Sequence, residues 1–210
     1  MSLNETQITR YSRQIIIPKM GGHAQERLLS SRMVLIGTLD DIAQPLAYLV
    51  GAGVGEIDLC APDTSDADLR VLCDRMRDLN PDSTVRYGSL AQTPDLVLAM
   101  IGNGAIVEFA SIEAPTIGAA VIARLDAPGK IAILPGPPPC LRCAGGNLLE
   151  AFGKRSEHAG FISMIATTES LKILSAYNSA PPSIVKFNGY QSAIETLQTS
   201  AADCSCRAHG

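Results

Sequence analysis

This sequence has no excess of basic residues: 17 Lys and Arg stand against 21 Asp and Glu, a formal charge of −4. Without a basic footprint, nucleic acid is not an expected partner. No apolar run reaches membrane-spanning length, because glycine, proline or charge interrupts the longest candidates, so no membrane-spanning helix is expected. The opening MSLNETQITR is polar and lacks the apolar core of a signal peptide. These absences point to the cytoplasm. Disulfides are then not expected, and the six cysteines read as thiols or metal ligands. Internal repeats and low-complexity tracts are missing, and so is the G-x-G-x-x-G fingerprint of a plain dinucleotide binder. What is present is a 46% hydrophobic fraction over 210 residues, enough to bury the core of one globular domain.

Along the chain, residues 5–30 form an N-terminal arm: a short helix around Gln7–Gln14, a break at IPKMGG, and a helix through Gln25–Leu29. MVLIG (33–37) is a short continuous apolar run suited to a strand buried on both faces. From Ile42 to Val50 apolar residues recur at helical spacing, with Pro45 expected in a first turn where its missing N–H is harmless. GAGVG (51–55) closes that helix and EIDLC (56–60) reads as the next strand. A helix over 67–79 and strands at TVRYGSL, PDLVLAMIG, PTIGAAVIAR and KIAILPG follow. This alternation predicts an α/β fold with a doubly wound, mostly parallel Rossmann-like sheet. PGPPPC (135–140) leads out of the sheet to a helix near 162–176 and a hairpin of SIVKFNG and AIETLQT. The whole chain, 1–210, reads as one domain: the arm (1–31), a Rossmann-like core (32–136) and a C-terminal region (137–210).

Four cysteines form two close pairs, C-L-R-C at Cys140 and Cys143 and C-S-C at Cys204 and Cys206. Each pair supplies two thiolates from one tight turn, as a tetrahedral structural zinc site requires. Unrelated surface thiols, or a redox C-x-x-C, remain the other readings of the same spacing.

Several longer strings carry a family likeness: RYSRQIIIPKMGGHAQERLLSSRMVLIG, AGVGEIDL, CLRC with a C-terminal cysteine pair, AGFISMIATTESLKIL and SIVKFNGYQSAIETLQ. Together they resemble the ThiF/MoeB/HesA family, bacterial relatives of ubiquitin-activating enzymes, over nearly the whole chain. The resemblance implies a C-terminal hairpin stapled by zinc at Cys140, Cys143, Cys204 and Cys206. It also implies ATP and magnesium, adenylation of the C-terminal glycine of a ubiquitin-like sulfur carrier, and a dimer. The dimer partner would be a second copy or an active ThiF/MoeB-like paralogue.

Carried over residue by residue, the family's catalytic parts are largely replaced. Its glycine-rich phosphate loop aligns with Gly37-Thr38-Leu39-Asp40-Asp41-Ile42, which keeps only Gly37. A helix N-terminus attracts phosphate through free N–H groups and its dipole, and glycines admit the close approach. Asp40 and Asp41 bring negative charge into that space and are expected to cap the helix themselves. The ribose-binding acid aligns with Ala61, leaving Asp63 two residues on, and the metal-binding aspartate aligns with Ala99, with Asn103 retained. Arg10 and Arg13 persist in RYSRQ; in relatives an arginine of this motif reaches into the partner's ATP site. Pairing with surface carboxylates is the alternative role for both. The sequence therefore carries two functional expectations. One is a non-catalytic binding or assembly subunit in ubiquitin-like or sulfur-carrier activation, with its ATP site degraded. The other is an active ATP-dependent adenylyltransferase whose nucleotide site has been rearranged.

Overall fold

Strand β1 (Arg32–Ile36) is the hub of the fold, and four of its five residues are buried. The computed structural model of the protein describes residues 2–61, 64–88, 93–102, 118–127, 129–136, 154–177, 181–188 and 191–196. Ahead of β1 come α1 (Glu5–Arg10), α2 (Ser12–Ile15) and α3 (Gly21–Ser30). Then follow α4 (Leu39–Ala52), β2 (Glu56–Cys60), α5 (Asp66–Leu79), β3 (Thr84–Tyr87), β4 (Leu96–Ile101), β5 (Ala119–Arg124) and β6 (Gly129–Leu134). The last elements are α6 (Ala159–Leu174), β7 (Ser183–Asn188) and β8 (Gln191–Thr196).

The eight strands form one sheet in the order β3-β2-β1-β4-β5-β6-β7-β8. The first five run parallel, whereas β6, β7 and β8 are each antiparallel to the preceding strand in that order. Four of the seven pairings are thus parallel, as expected of a mostly parallel sheet, and the antiparallel ones are confined to the β5–β8 end. Only residues 125–128 separate β5 from β6, and a parallel crossover needs a dozen or more residues. β4 and β5 are buried at every position, as strands covered on both faces must be.

Alternate strand residues divide between two cores. Met33, Leu35, Leu98, Met100, Val121 and Ile133 pack with residues of α3, α4, α5 and α6 in one cluster. Val34, Ile36, Val97, Ala99, Ile122 and Leu134 form the second on the opposite face. The described longer helices all join the first cluster, so winding on both faces is not a property of the described residues.

Several local expectations shift. The break expected at IPKMGG ends sooner, because α3 begins at Gly21, whose φ of 65° suits glycine. α4 starts at Leu39, so Pro45 is interior and buried, and its missing N–H leaves the Asp41 carbonyl without an i→i+4 donor. Gly53 ends α4 in a left-handed cap at φ 89°. α6 starts at Ala159, earlier than the apolar pattern indicates.

Candidate functional site

β1 delivers the chain to the carboxyl edge of the parallel strands, and Gly37 makes the turn toward α4. Its N–H donates to the Cys60 carbonyl at 3.1 Å. A Cβ at Gly37 would lie 2.7 Å from Ile42 Cγ2 and 3.1 Å from Met100 Cβ. Helix-to-strand packing therefore accounts for this glycine without any phosphate. Thr38 follows in extended conformation as the residue preceding the helix. Its carbonyl accepts from the N–H groups of Asp41 and Ile42, both at 3.0 Å.

The two aspartates have different fates. Asp40 is exposed. Asp41 is 3% exposed, and one carboxylate oxygen accepts the Thr38 hydroxyl proton at 2.8 Å. The other oxygen is ion-paired with the Arg155 Nη1. Neither aspartate is the helix cap that the sequence led us to expect, since no side-chain bond caps the backbone at Thr38. Asp41 instead lies in the first turn of α4 as a buried anion, where the positive end of the helix dipole favours it. Gly102 makes room for it: a Cβ there would come 3.1 Å from Asp41 Oδ2.

Arg155 is held in place by the end of β5. The Ala127 N–H donates to the Lys154 carbonyl at 3.0 Å, and the Ser156 N–H donates to the Leu125 carbonyl at 2.8 Å. Asp126 and Arg155 form an antiparallel bridge. Beside this bridge, Arg124 and Asp126 make a second, buried pair, with Nε–Oδ1 at 2.5 Å and Nη2–Oδ2 at 2.8 Å. Two donors meeting two acceptors is the bidentate geometry in which arginine binds carboxylate best.

The two positions that the sequence resemblance aligns with the family's acids are buried and apolar. Ala61 is 7% exposed, and Ala99 is fully buried in the second core cluster. Asp63, Asn103, Cys140, Cys143, Cys204 and Cys206 lie outside the described residues. Among the described residues no group of three or more His, Cys, Asp or Glu is placed to hold a metal ion, and no helix is long and apolar enough to cross a membrane.

The two N-terminal arginines separate. Arg10 Nε lies 3.2 Å from Asp82 Oδ2 within the same chain. Asp82 also accepts from the Tyr11 hydroxyl at 3.0 Å and from Gln7 Nε2 at 3.3 Å, so Arg10 belongs to a network that ties the arm to the core. Burial first, then the hydrogen bond and charge of Asp82, raise Tyr11 to a pKa of about 12 against an opposing bond from Asn80. Arg13 is exposed and forms no ion pair among the described residues. Beside it, Ile16 and Ile17 are 77% and 42% exposed.

Sequence reasoning missed Arg155 and the Arg124–Asp126 pair. The second left a trace, because Arg124 and Asp126 are two apart and so share a side of an extended chain. Arg155 left none, being 114 residues from its partner.

No family model matches the chain. Among curated proteins it is 26% identical to the adenylyltransferase and sulfurtransferase uba4 of Emericella nidulans, covering 90% of this chain and 50% of that one. It is 33% identical to the SAMP-activating enzyme E1 of Haloferax volcanii, over 55% of this chain and 49% of that one. The chain thus spans about half the length of these two relatives. Among solved structures, Escherichia coli MccB with ATP superposes with a TM-score of 0.67 at 13% identity, over 97% of this chain and 75% of MccB; that likeness is one of fold. These sequence likenesses, together with the shared fold, support the ThiF/MoeB/E1-like family for this chain.

Proposed function

We propose that this protein is a binding or assembly subunit in the activation of a ubiquitin-like or sulfur-carrier protein, and that it does not itself adenylate. The observation that carries the reading is Asp41, buried in the first turn of α4 and paired with Arg155. A helix start binds phosphate through its dipole and its free N–H groups; here a carboxylate of the chain itself already lies in the first turn, held by the Thr38 hydroxyl and Arg155. A triphosphate brought to the same place would meet a fixed negative charge and would have to displace Arg155 from it. Among the described residues, the position aligned with the family's metal-binding aspartate is Ala99, a buried apolar residue that offers no metal ligand.

The partner's nature follows from what remains. Activating enzymes and adenylyltransferases are the named relatives, so the partner is a ubiquitin-like carrier, a second copy, or an active relative with an intact glycine-rich loop. Exposed Ile8, Ile16 and Ile17 on the arm favour association there. Arg13, rather than the already engaged Arg10, is the candidate to reach a partner's ATP site. Zinc, held by Cys140, Cys143, Cys204 and Cys206, would staple the C-terminal region to the exit of the sheet.

The test is ATP–pyrophosphate exchange by the purified chain with a Gly-Gly-ended ubiquitin-like carrier from the same cell. No exchange is expected from the chain alone, together with retention of the carrier or of an active relative on immobilised protein. Exchange at rates typical of an adenylating enzyme would remove the proposal.

A further inference from the structure

Three strand starts and two helix ends meet at the amino edge of the parallel strands, opposite the edge at which α4 begins. Ser30 and Ser31 precede β1, Asp95 precedes β4 and Gly118 precedes β5, and the C-termini of α3 and α6 lie beside them. Between these elements is a cleft of about 400 Å³, within the roughly 300–1,000 Å³ range of small-molecule sites. Its described lining carries one cation, Arg27, and one carboxylate, Asp95, with Pro135, Ile173 and Leu174 as an apolar wall.

Asp95 is fixed by backbone rather than by a cation. Its Oδ2 accepts from the Arg32 N–H, and its own N–H donates to the Arg32 carbonyl, both at 2.8 Å. Gly118 lets β5 start close against it, since a Cβ there would lie 2.6 Å from the Asp95 carbonyl oxygen. Among the described residues Asp95 makes no ion pair and its Oδ1 accepts no hydrogen bond. Arg27 lies in the last turn of α3, where the helix dipole favours a cation, and it too makes no ion pair among the described residues. Opposite charges that line one cleft without meeting leave each group open to a ligand. The Ser30 and Ser31 hydroxyls donate to the Arg27 and Leu28 carbonyls at 3.1 and 2.7 Å, so they offer a ligand only lone pairs. Together with two helix C-termini, these oxygens suit a positive group, and Arg27 alone suits a negative one.

We propose that this cleft binds a free α-amino acid with an apolar side chain. Asp95 and the serine oxygens take its ammonium group, Arg27 takes its carboxylate, and Pro135, Ile173 and Leu174 receive its side chain. Other small ligands match less of the lining. A phosphate group would face Asp95 and two helix C-termini with a single arginine to hold it. A metal ion would find one carboxylate, and no group of three or more His, Cys, Asp or Glu is placed to hold one among the described residues. The site is independent of the nucleotide question, because none of its described lining belongs to α4 or to the 154–158 segment.

The experiment is calorimetric titration of L-leucine, leucinamide and 4-methylpentanoate into the full chain at low ionic strength. Leucinamide lacks the carboxylate, and 4-methylpentanoate lacks the ammonium group. Wild type binds leucine saturably and each analogue roughly tenfold or more weakly, about 1.4 kcal/mol by the usual conversion. Arg27→Gln is expected to bind leucine and leucinamide alike. Asp95→Asn, which keeps an acceptor for the Arg32 N–H, is expected to bind leucine and 4-methylpentanoate alike. Should Asp95→Asn lose its native circular dichroism, Arg27→Gln at an exposed position carries the test. Three results overturn the proposal. One is the absence of saturable leucine binding by folded wild type. Another is equal affinity of wild type for leucine and leucinamide, which would make the cleft a site for amines or peptide N-termini. The third is a preference for leucine over leucinamide that survives in Arg27→Gln, which would put the amino acid elsewhere.

Discussion

Breaking the Asp41–Arg155 pair from each side in turn should give two unequal losses that do not add. Asp41 is nearly inaccessible, with a side chain 1% exposed, whereas Arg155 is 53% exposed. Asp41→Asn keeps the shape, removes a charge-assisted bond to Arg155 and weakens the favourable interaction with the α4 dipole. Together these cost about 1–3 kcal/mol, and the released guanidinium can turn to water. Arg155→Ala is harsher, because a carboxylate stays buried without its cation. Fully buried pairs broken in this way lose about 3–5 kcal/mol. Solvent around Arg155 moves the expectation below that range, to about 2–3 kcal/mol. In the double variant neither charge is stranded, so the losses fall short of their sum by about 1–2 kcal/mol. Urea unfolding of the four proteins, followed by circular dichroism, measures the cycle. For a chain of this size each kcal/mol also moves the melting midpoint by about 2–4 °C. Additivity to within about 0.5 kcal/mol would mean that the pair is incidental, and the reasoning about the filled seat would fall with it.

Three other outcomes are expected. Gly55→Ala places a Cβ 2.1 Å from the Leu29 carbonyl oxygen, a backbone atom with no rotamer to escape into; a loss of at least about 2 kcal/mol in chemical unfolding is expected, and a neutral result would show that the α3–β2 approach is looser than described. Tyr11 holds its proton to about pH 12 in the folded protein, against about 10 when unfolded. Its contribution is therefore complete below pH 10 and is lost as pH rises from there to about 12, on the order of 2 kcal/mol; Tyr11→Phe should flatten that alkaline fall in a pH series of melting curves, and an unchanged slope would count against the Asp82 network. Metal analysis of the purified chain should give about one zinc per protein by four-thiolate logic, with Cys140→Ser lowering it; a stable metal-free protein would remove the staple.

Much of the fold was legible because buried parallel strands leave continuous apolar runs, and β1, β4 and β5 are such runs. The direction of β6 was legible too, in the shortness of residues 125–128, yet an apolar run by itself says nothing about strand direction. The site was partly legible. Buried positions along α4 fall at Asp41, Ile42, Pro45, Leu46, Leu49 and Val50, so helical spacing puts Asp41 on the inward stripe and Asp40 off it. That periodicity could have separated the two aspartates, which the sequence reading treated as a pair. It could not have named Arg155, because an ion pair closed by tertiary packing has no period to read. The retained Gly37 misleads in the other direction: its neighbours Ile42 and Met100 require a glycine whether or not phosphate is ever bound.

The decisive measurement is calorimetric titration of magnesium-ATP into the intact wild-type chain, followed by a crystal soaked at the highest concentration used. With Asp41 and Arg155 paired at the start of α4, no saturable heat is expected and no phosphate density should rest against Thr38–Ile42. Saturable binding at micromolar concentration, with the phosphates on those N–H groups and Arg155 drawn off Asp41, would restore the nucleotide site and overturn the non-catalytic reading.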